Sequence, residues 1–400
     1  MTKLYLVRHA EALGNVREFF QGRTDCEVSE RGEKQLERLA EYFKNIPIEA
    51  IYSSPLKRTL STAAAVNKYH SLPIQKDEGL IEINGGVWEG RPWADLPKLY
   101  PVEYGLWKNR MEDFYIRDGE KMTEVFDRMK ATVDRIAAEN EGKTIAVVSH
   151  GCALRNFLCY AMGKPISALK DVGWSDNTAV SLVEYESGVP KIIFKNNNEH
   201  LTEELSTLSK SKWSVTDDVL YGRFGKITVR NLRSSDPEYF AREEVKQGWQ
   251  DASPEKLEMR LRDNVSGKAI AVAADYDGEP AGYVSVYPYC MWGALGGKGY
   301  SEIVDFNVLE KFRNKGVGAK LMDIAEKIAA EYSDTVYLGV GLHSGYGAAQ
   351  RLYVKRGYVP DGSGVWYGGK VCPQYAECVN DDDLNLYMYK KLLKEADKCV

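Results

Sequence analysis

Two short apolar runs in the first half of the chain each lead into a histidine. The first, residues 4–7, is followed by Arg8 and His9, and the second, residues 144–148, leads to His150. Apolar runs of this length predict buried parallel strands. Ligands of open α/β sheets bind just beyond the carboxyl ends of such strands. We therefore expect both histidines at one functional edge of a sheet, whereas polar residues leaving a core strand for solvent are the alternative.

The charged residues near these strand ends suit a phosphoryl group. Arginine recognises phosphate oxygens with a planar, bidentate fork, and a neutral histidine offers a nucleophilic ring nitrogen. Arg58 lies in the first turn of a predicted helix that follows another predicted strand, residues 50–54. Glu82 interrupts an apolar segment, where a carboxylate is costly unless it is paired or used. Together with Arg8, His9 and His150 they indicate metal-free phosphoryl transfer. Metal ligation by the two histidines is the alternative, which the adjacent arginines disfavour.

The sequence also predicts where two helices near this edge begin. Ser29 is predicted to cap a helix, and Ser54 to cap the helix that carries Arg58, with Pro55 at its first position. The aromatic segment at residues 92–118 is predicted to form a cap over the site.

The composition narrows the class of protein. The 400 residues indicate two or three domains, and the net charge of −5 argues against a nucleic-acid or anionic-membrane binder. No apolar run approaches the roughly 20 residues of a membrane span, and the N-terminus lacks a signal-peptide pattern. The seven cysteines are scattered, without a CxxC pair. We therefore expect a cytoplasmic protein with reduced thiols and no metal site.

The second half carries a different signal. After a polar stretch at residues 206–224, which we interpret as a linker, strand and helix patterns alternate. The sequence Arg-Asn-Lys-Gly-Val-Gly, residues 313–318, stands between a predicted strand and a long predicted helix. Glycines there allow backbone N–H groups to approach a ligand at a helix N-terminus, which favours a pyrophosphate. A simple flexible loop is the alternative.

Five motifs in order give the first half a family resemblance. They are Leu-Val-Arg-His-Ala-Glu, Gln-Gly-Arg-Thr-Asp, Ser-Ser-Pro-Leu-Lys-Arg-Thr, Leu-Ile-Glu-Ile-Asn-Gly-Gly-Val-Trp-Glu-Gly and Val-Ser-His-Gly. Residues 1–205 resemble the histidine phosphatase (phosphoglycerate mutase-like) superfamily, which implies a three-layer αβα domain. Ala10 departs from the glycine of many members, although alanine is also common at this position.

The resemblance assigns roles to these residues. It makes His9 the nucleophile that becomes phosphorylated, and Glu82 the acid that protonates the leaving oxygen and later activates water. The residues it implies around the phosphoryl group are Arg8, Arg58 and His150, and those lining the substrate pocket are Asn15, Gln21, Gly22 and Gly151.

Hydrolysis and mutase chemistry are both known in this superfamily. Family mutases carry a longer insertion with extra basic residues between the acid and the second histidine. Here the stretch from Glu82 to His150 is compact and contains no adjacent arginine pair. We therefore favour hydrolysis of a small phosphate ester, with a phosphoglycerate-type mutase as the alternative.

The second half resembles the GNAT N-acetyltransferases over residues 226–392, through the Arg-x-x-Gly-x-Gly loop and the helical segment 348–358. The resemblance implies a mixed, mostly antiparallel sheet, acetyl-CoA as cofactor, and an amine as acetyl acceptor. It places Tyr353 as the acid for the departing thiolate. The implied cofactor-binding residues are Phe306, Asn307 and Val308 for the pantetheine and thioester, and Arg313, Asn314, Lys315, Gly316, Val317 and Gly318 for the pyrophosphate.

Two departures affect this second resemblance. Tyr346 stands where many members have asparagine, and Glu310 where many have proline. A CoA-binding regulatory module without turnover is therefore the alternative to an acetyltransferase. Glu302 and Asp305 flank the reaction strand, but the residues alone do not identify the general base.

The expected organisation is a bifunctional enzyme with a histidine phosphatase domain at residues 1–205, a linker at 206–224 and a GNAT domain at 225–400. The expected partners are a small phosphate ester and an amine, with neither nucleic acid nor membrane. The sequence identifies neither substrate, nor whether the two activities share a pathway, nor the oligomeric state.

Overall fold

The computed structural model of the chain describes residues 1–208, 219–249 and 252–392. It divides into two compact units, Met1–Trp213 and Ser214–Val400. Throughout these described ranges, every helix is too short or too polar to cross a lipid bilayer.

The first unit is a three-layer α/β domain built on one mixed sheet. Its strands are β1 (Thr2–Arg8), β2 (Ala50–Ser53), β3 (Ile74–Lys76), β4 (Thr144–Ser149), β5 (Val180–Glu186) and β6 (Val189–Asn197). Their order in the sheet is β3–β2–β4–β1–β5–β6. The pairs among β3, β2, β4 and β1 are parallel, whereas β5 is antiparallel to β1 and β6 to β5. The carboxyl ends of β2, β4 and β1 therefore meet at one edge.

Helices connect and cover these strands. They are α1 (Leu13–Val16), α2 (Glu30–Phe43), α3 (Lys57–Val66), α4 (Leu96–Leu99), α5 (Pro101–Asn109), α6 (Met122–Glu139) and α7 (Gly151–Ala161). The apolar faces of α2 and α3 share one core with Val7 of β1, Ile51 of β2 and Val148 of β4. Helices α6 and α7 pack against each other and against β1.

The two predicted caps have different outcomes. Ser29 caps α2 as predicted, because its Oγ accepts a hydrogen bond from the Gly32 N–H at 3.0 Å. The prediction for Ser54 and Pro55 is wrong: α3 begins at Lys57, and Leu56 is its N-cap residue. The Ser54 hydroxyl instead bonds a histidine that lies 96 positions away in the sequence.

The second unit contains a nine-stranded sheet. Its strands are β7 (Leu220–Phe224), β8 (Ile227–Asn231), β9 (Ile270–Tyr276), β10 (Glu279–Tyr287), β11 (Ser301–Val308), β12 (Thr335–Gly341), β13 (Val359–Tyr367), β14 (Lys370–Val371) and β15 (Leu384–Lys391). Their order is β14–β13–β15–β12–β11–β10–β9–β8–β7. Only the pair β11–β12 is parallel among these described strands, so the sheet is mixed and mostly antiparallel as predicted.

Four α-helices accompany this sheet in the described part of the unit. They are α8 (Asp236–Lys246), α9 (Glu255–Val265), α10 (Val317–Ala330) and α11 (Gly347–Lys355). Helix α10 buries Leu321, Met322 and Ala325 in a core that it shares with β9 and β10. The β9–β10 hairpin turns at Asp277 and Gly278, whose φ values of 53° and 84° fit the predicted two-residue turn.

The predicted linker at 206–224 overlaps elements of both units. Thr207 hydrogen-bonds within the first unit, and residues 220–224 form the edge strand β7 of the second. Residues 209–218 lie outside the described residues. Strand β7 has the sequence Leu-Tyr-Gly-Arg-Phe, and its Leu220 and Phe224 side chains are exposed at the edge of the sheet.

Candidate active site

The edge formed by β1, β2 and β4 brings together the two histidines that were predicted to share a site. His9 follows β1 and His150 follows β4, and their ring centroids are 5.2 Å apart. Backbone bonds hold the strand ends in register, since the His9 N–H donates to the Ser149 carbonyl at 3.0 Å.

The His9 imidazole is held as a neutral group. It is buried, and its Nδ1 lies 2.7 Å from the Ala10 carbonyl oxygen. Because a carbonyl only accepts, Nδ1 carries the proton and Nε2 keeps its lone pair. Burial, and then the charges of Arg58 and Arg8, lower the pKa of His9 well below its usual range. The geometry is that of a poised nitrogen nucleophile.

His150 is buried behind the cavity, with its Nε2 2.7 Å from the Ser54 Oγ. Its Nδ1 is buried and has no hydrogen-bond partner. Burial, and then Arg58 and His9, lower the pKa of His150 well below its usual range, so the ring is neutral. When the Ser54 hydroxyl donates to Nε2, the proton resides on Nδ1, which becomes a free donor.

Two arginines, the buried Arg58 and the partly buried Arg8, flank the histidines. Arg58 is 1% exposed and donates through Nη1 to the Thr24 carbonyl and through Nη2 to the Gly22 carbonyl, both at 2.8 Å. Arg8 donates to the Ser175 carbonyl. Burial lowers the pKa of both guanidiniums, yet arginine remains a cation in proteins. Each Nε is buried without a protein partner, which fits a site that is completed by an anion.

Glu82 is half-buried and held by backbone donors. Its Oε1 accepts from the N–H groups of Ile83 and Ala153, both at 2.9 Å, and its Oε2 accepts from Cys152 at 3.1 Å. Two of these donors belong to the first turn of α7, where a helix N-terminus stabilises negative charge. The carboxyl group is therefore fixed in position.

A cavity of about 100 Å³ opens at this edge. Most of the predicted site residues line it: Arg8, His9, Asn15, Gln21, Gly22, Arg58, Glu82 and Gly151. Two of the predicted cap residues, Trp93 and Trp107, lie in its wall. His150 is the exception, because it is fully buried beside His9 and is not part of the cavity surface.

Sequence reasoning missed a segment that supports His9. The Asn177 side-chain amide donates to the His9 carbonyl at 2.9 Å, and the Thr178 N–H donates to the Arg8 carbonyl at 3.1 Å. Between Ser175 and Asn177, Asp176 is 1% exposed and accepts from the Thr207 N–H at 2.9 Å. The run Ser-Asp-Asn-Thr before β5 could have indicated this supporting segment, but such a run predicts an ordinary turn.

Glu89 was also missed. Its Oε1 accepts from the Arg23 and Gly85 N–H groups at 2.8 and 3.0 Å, and its Oε2 accepts from the Thr24 hydroxyl at 3.1 Å. Since the carbonyls of Gly22 and Thr24 hold Arg58, Glu89 orients the arginine through this loop.

The second unit presents a helix N-terminus where the pyrophosphate site was predicted. Gly316 has a φ of 85°, and α10 starts at the next residue without a side-chain cap. A Cβ at Gly318 would lie 3.1 Å from the Phe306 Cζ and 3.5 Å from the Val308 Cγ2. The loop backbone thus packs closely on the end of β11, and the absence of bulk favours approach of a ligand.

Strands β11 and β12 separate soon after they begin. They pair only at Ser301–Val336 and Glu302–Tyr337, so the later part of β11, with Phe306, Asn307 and Val308, lacks β12 as a ladder partner. Tyr353 of α11 is buried, with its ring 6.2 Å from that of Phe306. Burial raises the pKa of Tyr353, which keeps its phenol protonated.

The two candidate bases differ in their surroundings. Glu302 is buried, and its Oε2 accepts from the Cys290 thiol at 2.7 Å. Burial raises the pKa of Glu302 to about 8. Asp305 has a φ of 52° and pairs with Arg260. No cluster of three or more metal-ligating His, Cys, Asp or Glu side chains occurs within the described parts of either unit.

Comparisons with known proteins match both halves of the chain. Residues 4–198 match the histidine phosphatase superfamily (branch 1), and residues 229–358 match the acetyltransferase (GNAT) family. Phosphoserine phosphatase 1 from Hydrogenobacter thermophilus is 33% identical over 203 residues, which are 51% of this chain and 96% of that protein. A probable phosphoglycerate mutase GpmB from Yersinia pestis is 35% identical over 190 residues, covering 46% and 86%.

Among solved structures, YhfR from Bacillus stearothermophilus is 28% identical, with a TM-score of 0.49, over 50% of this chain and 99% of that one. The chain belongs to the histidine phosphatase superfamily through its first unit, and its second unit is a domain of the GNAT acetyltransferase family.

Proposed function

We propose that the first unit hydrolyses small phosphomonoesters through a phosphohistidine on His9, without a metal ion. One observation carries the proposal. The neutral His9 ring lies in a buried cluster where Arg8, Arg58 and His150 each have a nitrogen without a protein partner. Such a cluster supplies the positive charge and donors that a phosphoryl group needs in a loose transition state.

In the first step, the His9 Nε2 attacks phosphorus, so that the Nε2–P bond forms as the ester P–O bond breaks. The Glu82 carboxyl group gives its proton to the leaving oxygen, which departs as an alcohol. Arg8 and Arg58 stabilise the negative charge on the phosphoryl oxygens.

In the second step, the Glu82 carboxylate takes a proton from water as the water oxygen attacks phosphorus. The Nε2–P bond breaks, which restores neutral His9, protonated Glu82 and inorganic phosphate. The backbone donors at the start of α7 hold the Glu82 carboxyl group in place through both steps.

Two variants test this sequence of steps. His9→Ala should lower phosphate release by at least about 10³-fold, whereas His70→Ala, a histidine outside the cavity, should not. Glu82→Gln should give a stoichiometric burst of nitrophenolate from p-nitrophenyl phosphate and an acid-labile phosphoenzyme, because that leaving group needs no proton. Full activity in His9→Ala, or a phosphoenzyme that survives acid, would exclude the phosphohistidine.

Mutase activity is the second candidate for this unit, and the similarity to a probable phosphoglycerate mutase favours it. The test follows 3-phosphoglycerate by ³¹P NMR with a trace of the bisphosphorylated compound. Hydrolysis predicts inorganic phosphate. Rapid interconversion of the phosphoglycerates without phosphate release would establish the mutase instead.

For the second unit we propose acetyl-CoA-dependent acetylation of an amine. The residues at the start of α10 and in the loop before it, Arg313, Asn314, Lys315, Gly316, Val317 and Gly318, would hold the pyrophosphate through backbone N–H groups. Phe306, Asn307 and Val308 would line the pantetheine. Acetyl-CoA supplies an acetyl group activated as a thioester. Tyr353 keeps a proton on its phenolic oxygen for the departing thiolate, and Glu302 is our choice of base because burial raises its pKa to about 8.

A thiol-release assay with acetyl-CoA and a panel of amines tests this second activity. Turnover that falls by about tenfold or more in Tyr353→Phe supports the acetyltransferase. Calorimetric binding of CoA without turnover of any amine would instead support a regulatory CoA-binding module.

A further inference from the structure

One wall of the phosphatase cavity is aromatic. We call it the aromatic wall, and it consists of Phe19, Phe20, Trp93, Trp107 and Trp174. Its members come from three separate stretches of the chain and converge beside His9. The proposed phosphoryl chemistry uses none of these side chains, so their convergence needs another explanation.

The aromatic wall is assembled before any substrate arrives. The Phe20 ring lies 5.1 Å from Trp93 and 5.5 Å from Trp107, and Trp107 is nearly parallel to Trp174 at 6.3 Å. Backbone bonds join its first two stretches, since the Trp93 N–H donates to the Glu18 carbonyl at 3.0 Å. A preformed wall loses little conformational freedom on binding.

Charged side chains make up a small part of the cavity lining, although the Arg155 guanidinium stacks on the Trp174 ring at 4.5 Å from its centroid. Among the described residues that line the cavity, the only charged side chains are Arg8, Arg58 and Glu82, all of which the proposed chemistry uses. The carboxylate of phosphoserine would meet the aromatic wall, where an unpaired negative charge is costly to bury. An uncharged ring would instead gain stacking contacts there.

We propose that the preferred substrates are phosphate monoesters of small alcohols that carry an uncharged aromatic ring next to the ester. This inference rests on the proposed phosphatase function and specifies its substrate class. The ring packs against the aromatic wall while the phosphoryl group occupies the cluster around His9.

The test compares benzyl phosphate with ethyl phosphate, O-phosphoserine and glycerol 3-phosphate. All four are esters of primary alcohols, so differences in kcat/KM report mainly on recognition. We expect kcat/KM for benzyl phosphate to exceed the other three by at least about tenfold. Benzylphosphonate should likewise inhibit more strongly than methylphosphonate. Because neither phosphonate is hydrolysed, their inhibition constants measure binding without turnover. Equal or reversed preference would overturn the proposal.

Two substitutions localise the effect to the aromatic wall. Trp93→Leu and Trp174→Leu keep apolar bulk but remove a flat face, and each should lower the benzyl-to-ethyl ratio of kcat/KM by at least about fivefold. Tyr115→Leu is the matched control, because Tyr115 is exposed and outside the cavity. An unchanged ratio in both tryptophan variants would remove the aromatic wall as the determinant.

The outcomes separate this inference from the function on which it rests. If no ester releases phosphate, or release does not depend on His9, the phosphatase proposal fails. If release depends on His9 but phosphoserine or glycerol 3-phosphate is preferred, only the substrate class is wrong.

Discussion

At the scale of single residues, we expect Ser54 to set the protonated nitrogen of His150 by donating its hydroxyl hydrogen to Nε2. The sequence predicts this serine as a helix cap, but its hydroxyl bonds the His150 Nε2 at 2.7 Å. We expect Ser54→Ala to lower kcat for phosphate release by roughly tenfold or more, because without the Ser54 hydroxyl the buried His150 ring can change tautomer beside His9. The ¹⁵N shifts of His150 should show a change of tautomer.

Ser53→Ala is the matched control for that variant. Ser53 is equally buried, and its hydroxyl bonds the Ser54 carbonyl at 2.8 Å rather than a histidine. If Ser53→Ala and Ser54→Ala lost activity equally and left the His150 shifts unchanged, Ser54 would have only a packing role.

The two active-site histidines also make a prediction about pH. Their pKa values are lowered by burial, whereas in the unfolded chain they titrate near about 6.5. As the pH falls through that value, the unfolded chain takes up protons that the folded unit does not. The free energy of unfolding should then fall by up to about 1.4 kcal/mol per pH unit for each histidine.

Urea unfolding between pH 7.5 and 5.5 measures this slope, and NMR titration of the ring carbons identifies its source. His150→Asn should reduce the slope. Ring signals of His9 and His150 that titrated near pH 6.5 in the folded protein would contradict the prediction.

At the residue scale, the sequence indicates the groups that react but not those that support them. His9, His150 and Glu82 stand out because they follow or interrupt apolar runs. Asn177 bonds the His9 carbonyl although the two residues are 168 positions apart in the sequence. No pattern in the sequence around either residue predicts this contact. Only the folded chain determines which distant polar group reaches the nucleophile.

At the scale of elements, the start of α10 tests the CoA proposal. A Cβ at Gly318 would lie 3.1 Å from the Phe306 ring, so Gly318→Ala forces that ring to shift. We expect the Kd for acetyl-CoA to rise by roughly tenfold with little change in Tm, as measured by calorimetry. Lys327→Ala, at an exposed position on the same helix, is the control. Unchanged affinity in Gly318→Ala would place the cofactor elsewhere.

Elements whose signals are local were predictable from the sequence. The strands β1 and β4, the Ser29 cap and the Asp277-Gly278 turn follow from periodicity and turn chemistry. The edge strand β7 was not predicted, because its five residues, Leu-Tyr-Gly-Arg-Phe, show no regular apolar alternation and remain largely exposed beside β8. Helix α3 begins at Lys57 rather than at Pro55, because the Ser54 hydroxyl bonds His150 instead of capping the helix.

At the scale of the whole molecule, each unit has its own core. We therefore expect a fragment of residues 1–208 to hydrolyse phosphate esters with kcat/KM within about twofold of the full chain. A fragment of residues 1–204 should be less stable, because it lacks the Thr207 N–H that bonds Asp176 and the Leu205 carbonyl that bonds Gln35. Leaving these buried groups unpaired costs about 1–3 kcal/mol each.

Thermal melts of the two fragments, with kcat/KM at a temperature where both are folded, measure the difference. Equal Tm values would show that residues 205–208 do not stabilise the first unit.

The position of Thr207 has a consequence for how such a chain evolves and is processed. Its bond to Asp176 completes the first unit beside the catalytic edge, since Asn177 and Ser175 contact His9 and Arg8. A gene fusion downstream of this point adds a partner domain without altering the catalytic groups. We likewise expect a protease that cuts downstream to leave the first unit intact, whereas a cut before Leu205 should lower its stability.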